Sequence, residues 1–312
     1  MEYWKEVLTS KCHVYSCDMV RLKFSFRQNS FEYLVKYFSN SYRIDIKVFT
    51  PNFSDFKYKY MYTIDYEYSS MTVGIGFNGS SREDLFLGFA EFNPNKCFQS
   101  EQCFFDLQVL FCNVWKYELV RWDLAVDIPI GRKYMSLVKD GRRYETVLYS
   151  QENKTEYLGV RNEPGRVKLY NKALEDKYTD VAELTRLELT CAGEWGANEI
   201  IAKLPLVDTV KQQSELNLSS DLSNTQRVLV ELINASDAKT YYFKLLNASM
   251  QVKLRPYIFS DDNRIEYDRN AIDDVLRMLR RTLKNFEDGI YIPVPDRTIP
   301  EGREVNPFEE QV

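Results

Sequence analysis

The order of apolar and polar residues divides the chain into a strand-rich part and a helical part. From about residue 19 to residue 190, short segments alternate apolar and polar side chains, which predicts β-strands separated by turns. Helical spacing interrupts this pattern at 29–38 and 101–117, and after Cys191 it becomes the rule. The later helices are predicted over residues 196–203, 224–234, 237–247 and 270–286. The prediction is an α+β fold built on an antiparallel sheet, followed by a helical C-terminal region.

The last predicted helix, 270–286, carries two opposed stripes. Asn270 is placed to cap it, and its apolar residues recur at helical spacing. The cations of the second stripe are Arg277, Arg280, Arg281 and Lys284. Two interpretations stay open: a solvated face paired with nearby acids, or a surface that contacts the phosphates of duplex DNA.

Composition narrows the chemistry. The chain has 312 residues but a single histidine, His13. This excludes sites that need two or more histidines from one chain, such as zinc hydrolases with His clusters, HExxH metalloproteases and nucleases with a His-hydrophobe-His motif. Any metal would have to be held mainly by carboxylates, which favours Mg²⁺ or Mn²⁺ over Zn²⁺.

Cysteine usage, hydropathy and charge bear on where the protein acts. The cysteines form no CxxC pair, the start of the chain does not resemble a signal peptide, and no run of about eighteen apolar residues occurs. The prediction is a reduced, cytoplasmic protein without a membrane span. Residues 285–312 hold seven acids and two bases and so account for the whole net charge of −5. The remainder of the chain is neutral, so the net charge does not disfavour an anionic partner.

Three predicted strands each place polar and charged side chains on one face, because side chains alternate between faces along a strand. These residues are Arg121, Asp123 and Asp127 in the first strand, Arg166, Lys168, Tyr170 and Lys172 in the second, and Arg186 and Glu188 in the third. If the strands are neighbours, one sheet face presents carboxylates, a tyrosine and several cations.

This combination permits phosphoryl transfer. Carboxylates can hold a divalent cation, a tyrosine phenolate can attack phosphorus, and neighbouring cations can orient the phosphate oxygens. An antiparallel sheet with one solvated face and cross-strand ion pairs would show the same alternation without any such function. The pattern by itself does not decide between the two.

The order and spacing of these residues resemble the Rep_trans group of rolling-circle replication initiators, which also includes relaxases of some integrative conjugative elements. The family pattern is an Arg-x-Asp-x-Ala-x-Asp strand, a Tyr-x-Gly-x-Arg turn that leads into an Arg-x-Tyr-x-Lys strand, and an Arg-x-Glu strand. The matching residues are Arg121, Asp123, Ala125 and Asp127; Tyr157, Gly159 and Arg161; Tyr170 and Lys172; and Arg186 and Glu188. The match covers residues 119–190 well and the rest loosely. It implies a sheet related to that of the nickases with the His-hydrophobe-His (HUH) motif, with carboxylates in place of the histidines.

The resemblance implies a role for each matched residue. Tyr170 resembles the strand-cleaving nucleophile and is preferred to Tyr157 and Tyr178. Asp123 and Glu188 are the first candidates for metal ligands, followed by Asp127 and then by Glu91. The residues that would contact DNA or orient its phosphates are Arg121, Arg161, Arg166, Lys168, Lys172 and Arg186.

A member of this family would nick and rejoin one DNA strand at an origin through a covalent 5′-phosphotyrosine intermediate, with Mg²⁺ or Mn²⁺ as cofactor. A host helicase and a second copy of the chain are the implied partners. Residues 1–205 would form the catalytic domain, 206–288 a helical region that recognises DNA, and 289–312 an extended acidic tail. Two alternatives stay open: a conjugative relaxase that nicks a transfer origin, and an inactive origin-binding protein of the same fold.

Overall fold

The computed structural model describes residues 13–40, 44–47, 60–67, 69–76, 85–97, 100–149, 154–175, 184–209, 221–234, 236, 239–258 and 264–288. The chain forms two compact units. Unit 1 consists of Met1–Tyr15, Ala125–Thr190 and Ala197–Ile272, and unit 2 of Ser16–Leu124, Cys191–Gly196 and Asp273–Val312. The division at residue 205 stays a prediction, and the predicted tail 289–312 lies outside the described residues.

The strands among the described residues are β1 Val14–Arg27, β2 Ile44–Lys47, β3 Tyr60–Asp65, β4 Ser70–Ile75, β5 Leu85–Phe92, β6 Lys116–Ile128, β7 Met135–Leu137, β8 Tyr144–Leu148, β9 Lys154–Leu158, β10 Val167–Asn171, β11 Thr185–Ala192 and β12 Val207–Thr209. The helices are α1 Gln28–Ser39, α2 Pro94–Cys97, α3 Glu101–Asn113, α4 Lys172–Glu175, α5 Ala197–Lys203, α6 Asn224–Asn234, α7 Lys239–Leu245, α8 Ala248–Ile258 and α9 Arg269–Glu287. Strands and helices therefore mix in the way that defines an α+β fold, and the predicted fold class is confirmed.

The sheet of unit 2 has the strand order β2-β3-β4-β5-β1-β6. Pairing is antiparallel from β2 to β5 and between β5 and β1. In β1 the phenylalanines Phe24 and Phe26 are buried, while Lys23 and Arg27 on the opposite face are exposed. This is the alternation that the sequence predicts for a strand with one face in the core. The buried face packs against α3, where Phe24 meets the ring edge of Phe111 at a centroid distance of 5.8 Å.

Helix α9 follows its predicted apolar stripe. Leu279 and Leu283 are buried in unit 2, and the Phe286 ring lies 5.3 Å from that of Phe111 and 5.1 Å from that of Phe104. The prediction that Asn270 caps this helix is wrong. The carboxylate of Asp268 accepts the backbone N–H of Asn270 at 2.8 Å, because the helix begins one residue earlier than its apolar pattern suggests.

The sheet of unit 1 has the order β6-β11-β10-β9-β8, with only the C-terminal residues of β6 belonging to this unit. Strands β8, β9, β10 and β11 pair antiparallel. The register of β10 against β11 places Lys168 opposite Glu188 and Tyr170 opposite Arg186. The three strands that carry the predicted polar face are therefore neighbours. Strands β7 and β12 form a separate antiparallel pair.

Unit 1 also contains a helical cluster made by α6, α7 and α8. Its core residues are Leu222, Val230, Ile233, Phe243, Leu254 and Ile258. Helix α6 matches its predicted bounds, and α7 lies within the predicted segment 237–247. Helix α8 is an addition, and its internal proline, Pro256, is a residue that sequence patterns treat as a helix breaker.

The predicted helix 101–117 is shorter than expected. It ends at Asn113, and Val114 is extended with φ −82° and ψ 136°. Strand β6 then begins at Lys116, directly after Trp115, whose backbone N–H donates to the carbonyl of Ser25 in β1 at 2.8 Å.

Among the described residues, no helix combines the length and the apolar character that crossing a membrane requires.

Candidate active site

Tyr170 lies in the middle of the unit 1 sheet and is the predicted nucleophile. Its side chain is only 5% exposed, and its hydroxyl donates a hydrogen bond to Oε1 of Glu188 at 2.5 Å. The register explains this contact, because Tyr170 on β10 and Glu188 on β11 are diagonal neighbours on one sheet face. The structure thus brings together the predicted nucleophile and a predicted metal ligand, in a donor–acceptor pair.

Lys168 completes this arrangement. Its ammonium lies 3.6 Å from Oε2 of Glu188 and 3.7 Å from the centroid of the Tyr170 ring. Lys168 precedes Tyr170 by two positions on β10, so both side chains leave the strand on the same face. We call Tyr170, Glu188 and Lys168 the Tyr170 cluster. It contains a phenol, a carboxylate that accepts a hydrogen bond from the phenol, and a cation beside both.

Arg186 and Asp127 form a second pair in unit 1. The Arg186 guanidinium donates to Asp127 through two parallel hydrogen bonds, from Nε at 2.6 Å and from Nη2 at 2.7 Å. Such a bidentate pair engages both carboxylate oxygens. Asp127 therefore serves here as the partner of Arg186, although the sequence resemblance gives it the role of a metal ligand. Lys172, which the resemblance predicts to orient the phosphate, is buried at the start of α4.

The turn before β10 is built from residues of the Tyr-x-Gly-x-Arg motif. Gly159 adopts φ +92°, and a Cβ at this position would lie 3.1 Å from Cα of Arg166. The guanidinium of Arg142 donates to the carbonyl of Gly165 at 2.8 Å and so ties down the end of the turn. Arg161 is exposed within the turn.

Tyr157, the less favoured nucleophile, has a different environment. The Arg166 guanidinium lies over its ring with Cζ 4.7 Å from the centroid. Burial raises the pKa of the Tyr157 hydroxyl, and the positive charge of Arg166 opposes this only in part. Unlike Tyr170, Tyr157 has no carboxylate shown as the acceptor of its hydroxyl among the described residues, and the preference for Tyr170 stays a prediction. Tyr178 lies outside the described residues.

A buried network supports β10 from behind and was not predicted. Arg132 is almost completely buried, forms an ion pair with Glu156, and donates to the backbone carbonyl of Leu169 at 3.3 Å. The Tyr144 hydroxyl donates to the same carboxylate at 2.5 Å. Arg132 thus anchors the residue that immediately precedes Tyr170. Its position in a turn suggests an exposed side chain, so no sequence signal indicates this role.

Of the residues predicted on the sheet, Glu91, Arg121 and Asp123 belong to unit 2. Glu91 forms ion pairs with Arg21 at 3.4 Å and with Arg121 at 3.5 Å. Asp123 lies close enough to Cys17 for its charge to add to the effect of burial, which raises the pKa of that thiol well above its ordinary value.

The carboxylates fit a metal poorly as they stand. Glu188 accepts from Tyr170 and pairs with Lys168, Asp127 is held by Arg186, and Glu91 is shared between two arginines. Within the described ranges, no group of three or more His, Cys, Asp or Glu side chains is arranged so that it could hold a metal ion. Asp123, Glu188 and Asp127, the predicted metal ligands, therefore do not form such a group.

The basic stripe of α9 is exposed as predicted, but its members differ. Arg277 pairs with Asp274 one turn earlier, and Lys284 pairs with Asp288 at 3.4 Å. Asp288 also raises the pKa of the Lys284 ammonium. Neither Arg280 nor Arg281 has a carboxylate partner among the residues that the structure describes. The solvated, acid-paired interpretation therefore fits Arg277 and Lys284, and phosphate contact by Arg280 and Arg281 stays a prediction.

Comparison with known proteins gives a likeness of low similarity to a solved structure. No model of a protein family and no curated protein matches the chain. Among solved structures, the rolling circle replication initiator protein from Geobacillus stearothermophilus matches with 13% sequence identity and a TM-score of 0.37, over 69% of this chain and 91% of that chain. A TM-score of this size does not establish a family, so the function is inferred from the side chains of the site.

Proposed function

We propose that the chain is a DNA strand transferase that initiates rolling-circle replication by nicking one strand at an origin through Tyr170. The observation that carries the proposal is the hydrogen bond from the Tyr170 hydroxyl to Glu188, with Lys168 beside both groups. The resemblance of the strand motifs to rolling-circle initiators indicates DNA as the substrate. The Tyr170 cluster contains the proposed nucleophile and the carboxylate that would accept its proton.

In the proposed reaction, the Tyr170 oxygen attacks phosphorus while Oε1 of Glu188 accepts the phenol proton. The bond from phosphorus to the 3′ oxygen breaks, and the departing oxygen takes up a proton from water. The products are a 5′-phosphotyrosyl link and a free 3′-OH. Because the energy of the phosphodiester is kept in the tyrosyl ester, attack by a later 3′-OH would reseal the strand.

Nearby cations have distinct tasks in this scheme. Lys168 stabilises the negative charge that develops on the Tyr170 oxygen and on the phosphate. Arg186 is oriented by both oxygens of Asp127 and so presents its remaining N–H groups in a fixed direction. Arg161 and Arg166, in and after the exposed turn, would contact phosphates of the bound strand.

The proposed requirement for Mg²⁺ or Mn²⁺ rests on the sequence resemblance. The proton transfer and phosphoryl transfer at Tyr170 are described by the residues of the chain and water. Measuring adduct formation with each cation and with a chelator tests the requirement directly. A reaction that proceeds at full rate in excess chelator would contradict the metal requirement and leave the role of Tyr170 intact.

The partners also follow from the resemblance. Duplex DNA beside the nick would contact Arg280 and Arg281 of α9. A host helicase, a homodimer and a cytoplasmic location belong to the same proposal.

Covalent capture tests the nucleophile. A pool of random single-stranded oligonucleotides, labelled at the 3′ end, is incubated with the protein and Mg²⁺ or Mn²⁺ and resolved under denaturing conditions. We expect a labelled adduct with the wild type, none with Tyr170→Phe, and formation about 100-fold slower with Glu188→Gln, because the amide cannot accept the proton. Tyr157→Phe is the matched control and should retain the adduct.

Two outcomes contradict the proposal. An undiminished adduct from Tyr170→Phe would show that another residue attacks. The absence of any adduct across the pool would leave an inactive DNA-binding protein as the better description.

A further inference from the structure

Unit 2 presents an exposed tryptophan together with a stacked arginine. Trp115 lies immediately before β6 and is 61% exposed, whereas Trp122 within that strand is fully buried. The Arg27 guanidinium lies over the indole with Cζ 3.9 Å from the ring centroid. The Trp115 backbone N–H donates to the carbonyl of Ser25 at 2.8 Å, so the residue that carries the ring is fixed to β1.

Further cations are exposed on the two strands that flank this ring. Lys23 and Arg27 are exposed residues on the same face of β1, and Lys116 is exposed next to Trp115. In the part of the chain that the structure describes, none of these three cations has a carboxylate within ion-pair distance. The exposed Glu118, two residues beyond Lys116, pairs with none of them.

An exposed aromatic plane beside cations that lack anionic partners matches the chemistry of a single-stranded nucleic acid. Its bases are unpaired and offer planar faces for stacking, and its phosphates offer negative charge at regular intervals. A duplex offers the same phosphates but keeps its bases stacked on one another. An acidic peptide offers charge without a series of aromatic planes. The combination of ring and cations therefore favours the single strand.

We propose that Trp115 and Arg27, with Lys23 and Lys116, form a binding site on unit 2 for single-stranded DNA, in which a base stacks on the Trp115–Arg27 pair and the lysines contact adjacent phosphates. This site and the Tyr170 cluster share no residue. Its biological role rests on the proposed function.

Equilibrium binding tests this site. The probe is a short fluorescein-labelled oligo(dT), and the full-length protein is used in the Tyr170→Phe background so that binding is measured apart from cleavage. Trp115→Ala and Arg27→Ala should each weaken binding at least about fivefold, the lower end of the effect of losing one base–aromatic stack. Trp115→Phe keeps an aromatic plane and should recover most of the affinity.

Matched controls separate stacking from general damage. Tyr241→Ala removes an equally exposed aromatic residue from α7, and Lys253→Ala removes an exposed cation from α8. Both should bind oligo(dT) as the parent protein does. Binding of oligo(dT) should also quench tryptophan fluorescence in the parent protein, and most of this quenching should be absent in Trp115→Phe.

Several results would overturn the proposal. These are unchanged affinity in Trp115→Ala, an equal loss in the Tyr241→Ala control, an equal loss for duplex DNA of the same length, or no binding of oligo(dT) by the parent protein. Failure of the proposed function is a different result, because it would appear as a missing or Tyr170-independent adduct in the capture assay.

Discussion

At the scale of single residues, the structure gives neighbouring polar groups different tasks according to what they contact. Glu188 and Asp127 both resemble metal ligands in the sequence. In the structure Glu188 accepts a hydrogen bond from the Tyr170 hydroxyl, while Asp127 accepts hydrogen bonds from Arg186. Two carboxylates of similar chemistry therefore differ in role because the neighbouring strand places a different partner beside each of them.

Thiol reactivity provides a test at this scale. Burial raises the pKa of Cys17 and of Cys191, and the nearby charge of Asp123 adds to the shift in both. The reactive thiolate is therefore scarce at these positions at pH 8, whereas Cys112 is exposed. Of these three residues, only Cys112 should react rapidly with a thiol reagent in the native protein. Mass spectrometry of labelled peptides can check this, and rapid native labelling of Cys17 would contradict the burial described here.

At the scale of elements, β10 is the strand on which the site depends, and it is held at the turn before it and at its central residue. The turn that precedes it closes through Gly159 and Gly165, and Arg132 binds the carbonyl of Leu169 within it. Its register with β11 then determines that Tyr170 meets Glu188. A shift of one residue would turn Tyr170 to the opposite face of the sheet.

Gly159→Ala tests the turn. The residue has φ +92°, and an added Cβ would lie 3.1 Å from Cα of Arg166 and 3.2 Å from the carbonyl oxygen of Gly165. We expect a loss of unfolding free energy of about 2 kcal/mol, because backbone strain and crowding add. Gly141→Ala is the control, since it has φ +91° but nothing within 4 Å of the added Cβ. Urea unfolding should show the smaller loss for Gly141→Ala, and equal losses would contradict the role of crowding.

Arg132→Met tests the buried network behind β10. Removal of the guanidinium leaves Glu156 buried without its main partner, and burial already acts to lower the pKa of Arg132. We expect a loss of about 3–5 kcal/mol in unfolding free energy, and a smaller loss for the double variant Arg132→Met/Glu156→Leu. Lys154→Met removes a more exposed cation 3.7 Å from the same carboxylate and should cost less than about 1 kcal/mol. If the double variant is as unstable as Arg132→Met, an unpaired buried charge is not the cause.

At the scale of the whole molecule, positive charge without anionic partners is found in separate places along the chain. Within the described residues these places include Arg280 and Arg281 on α9 and the Trp115 site on unit 2. The other two cations of the stripe, Arg277 and Lys284, pair with acids in α9 or directly after it. The whole-chain charge of −5 is therefore a poor guide to where an anionic strand would bind.

Salt dependence tests the α9 cations. Arg280→Ala/Arg281→Ala should weaken duplex binding and lower the slope of log affinity against log salt by about 2, because each phosphate contact releases about one counterion. Arg277→Ala/Lys284→Ala is the matched control and should change the slope less, since both cations already have acidic neighbours. Equal effects of the two double variants would show that pairing within the helix does not decide which cations bind DNA.

The sequence alone determined the local features. Period-two alternation assigned Tyr170, Lys168, Glu188 and Arg186 to one face of their strands, and helical spacing predicted the apolar stripe of α9. These patterns arise from the geometry of a single strand or helix, so they can be read without knowledge of the rest of the fold.

Only the tertiary structure decided which of these side chains meet. The register of β10 against β11 pairs Tyr170 with Glu188, and the order of β6, β11 and β10 brings Asp127 to Arg186. Both depend on pairing between segments far apart in the chain, which periodicity does not encode. The burial of Arg132 and the exposure of Trp115 are decided in the same way, because they depend on what neighbouring elements cover.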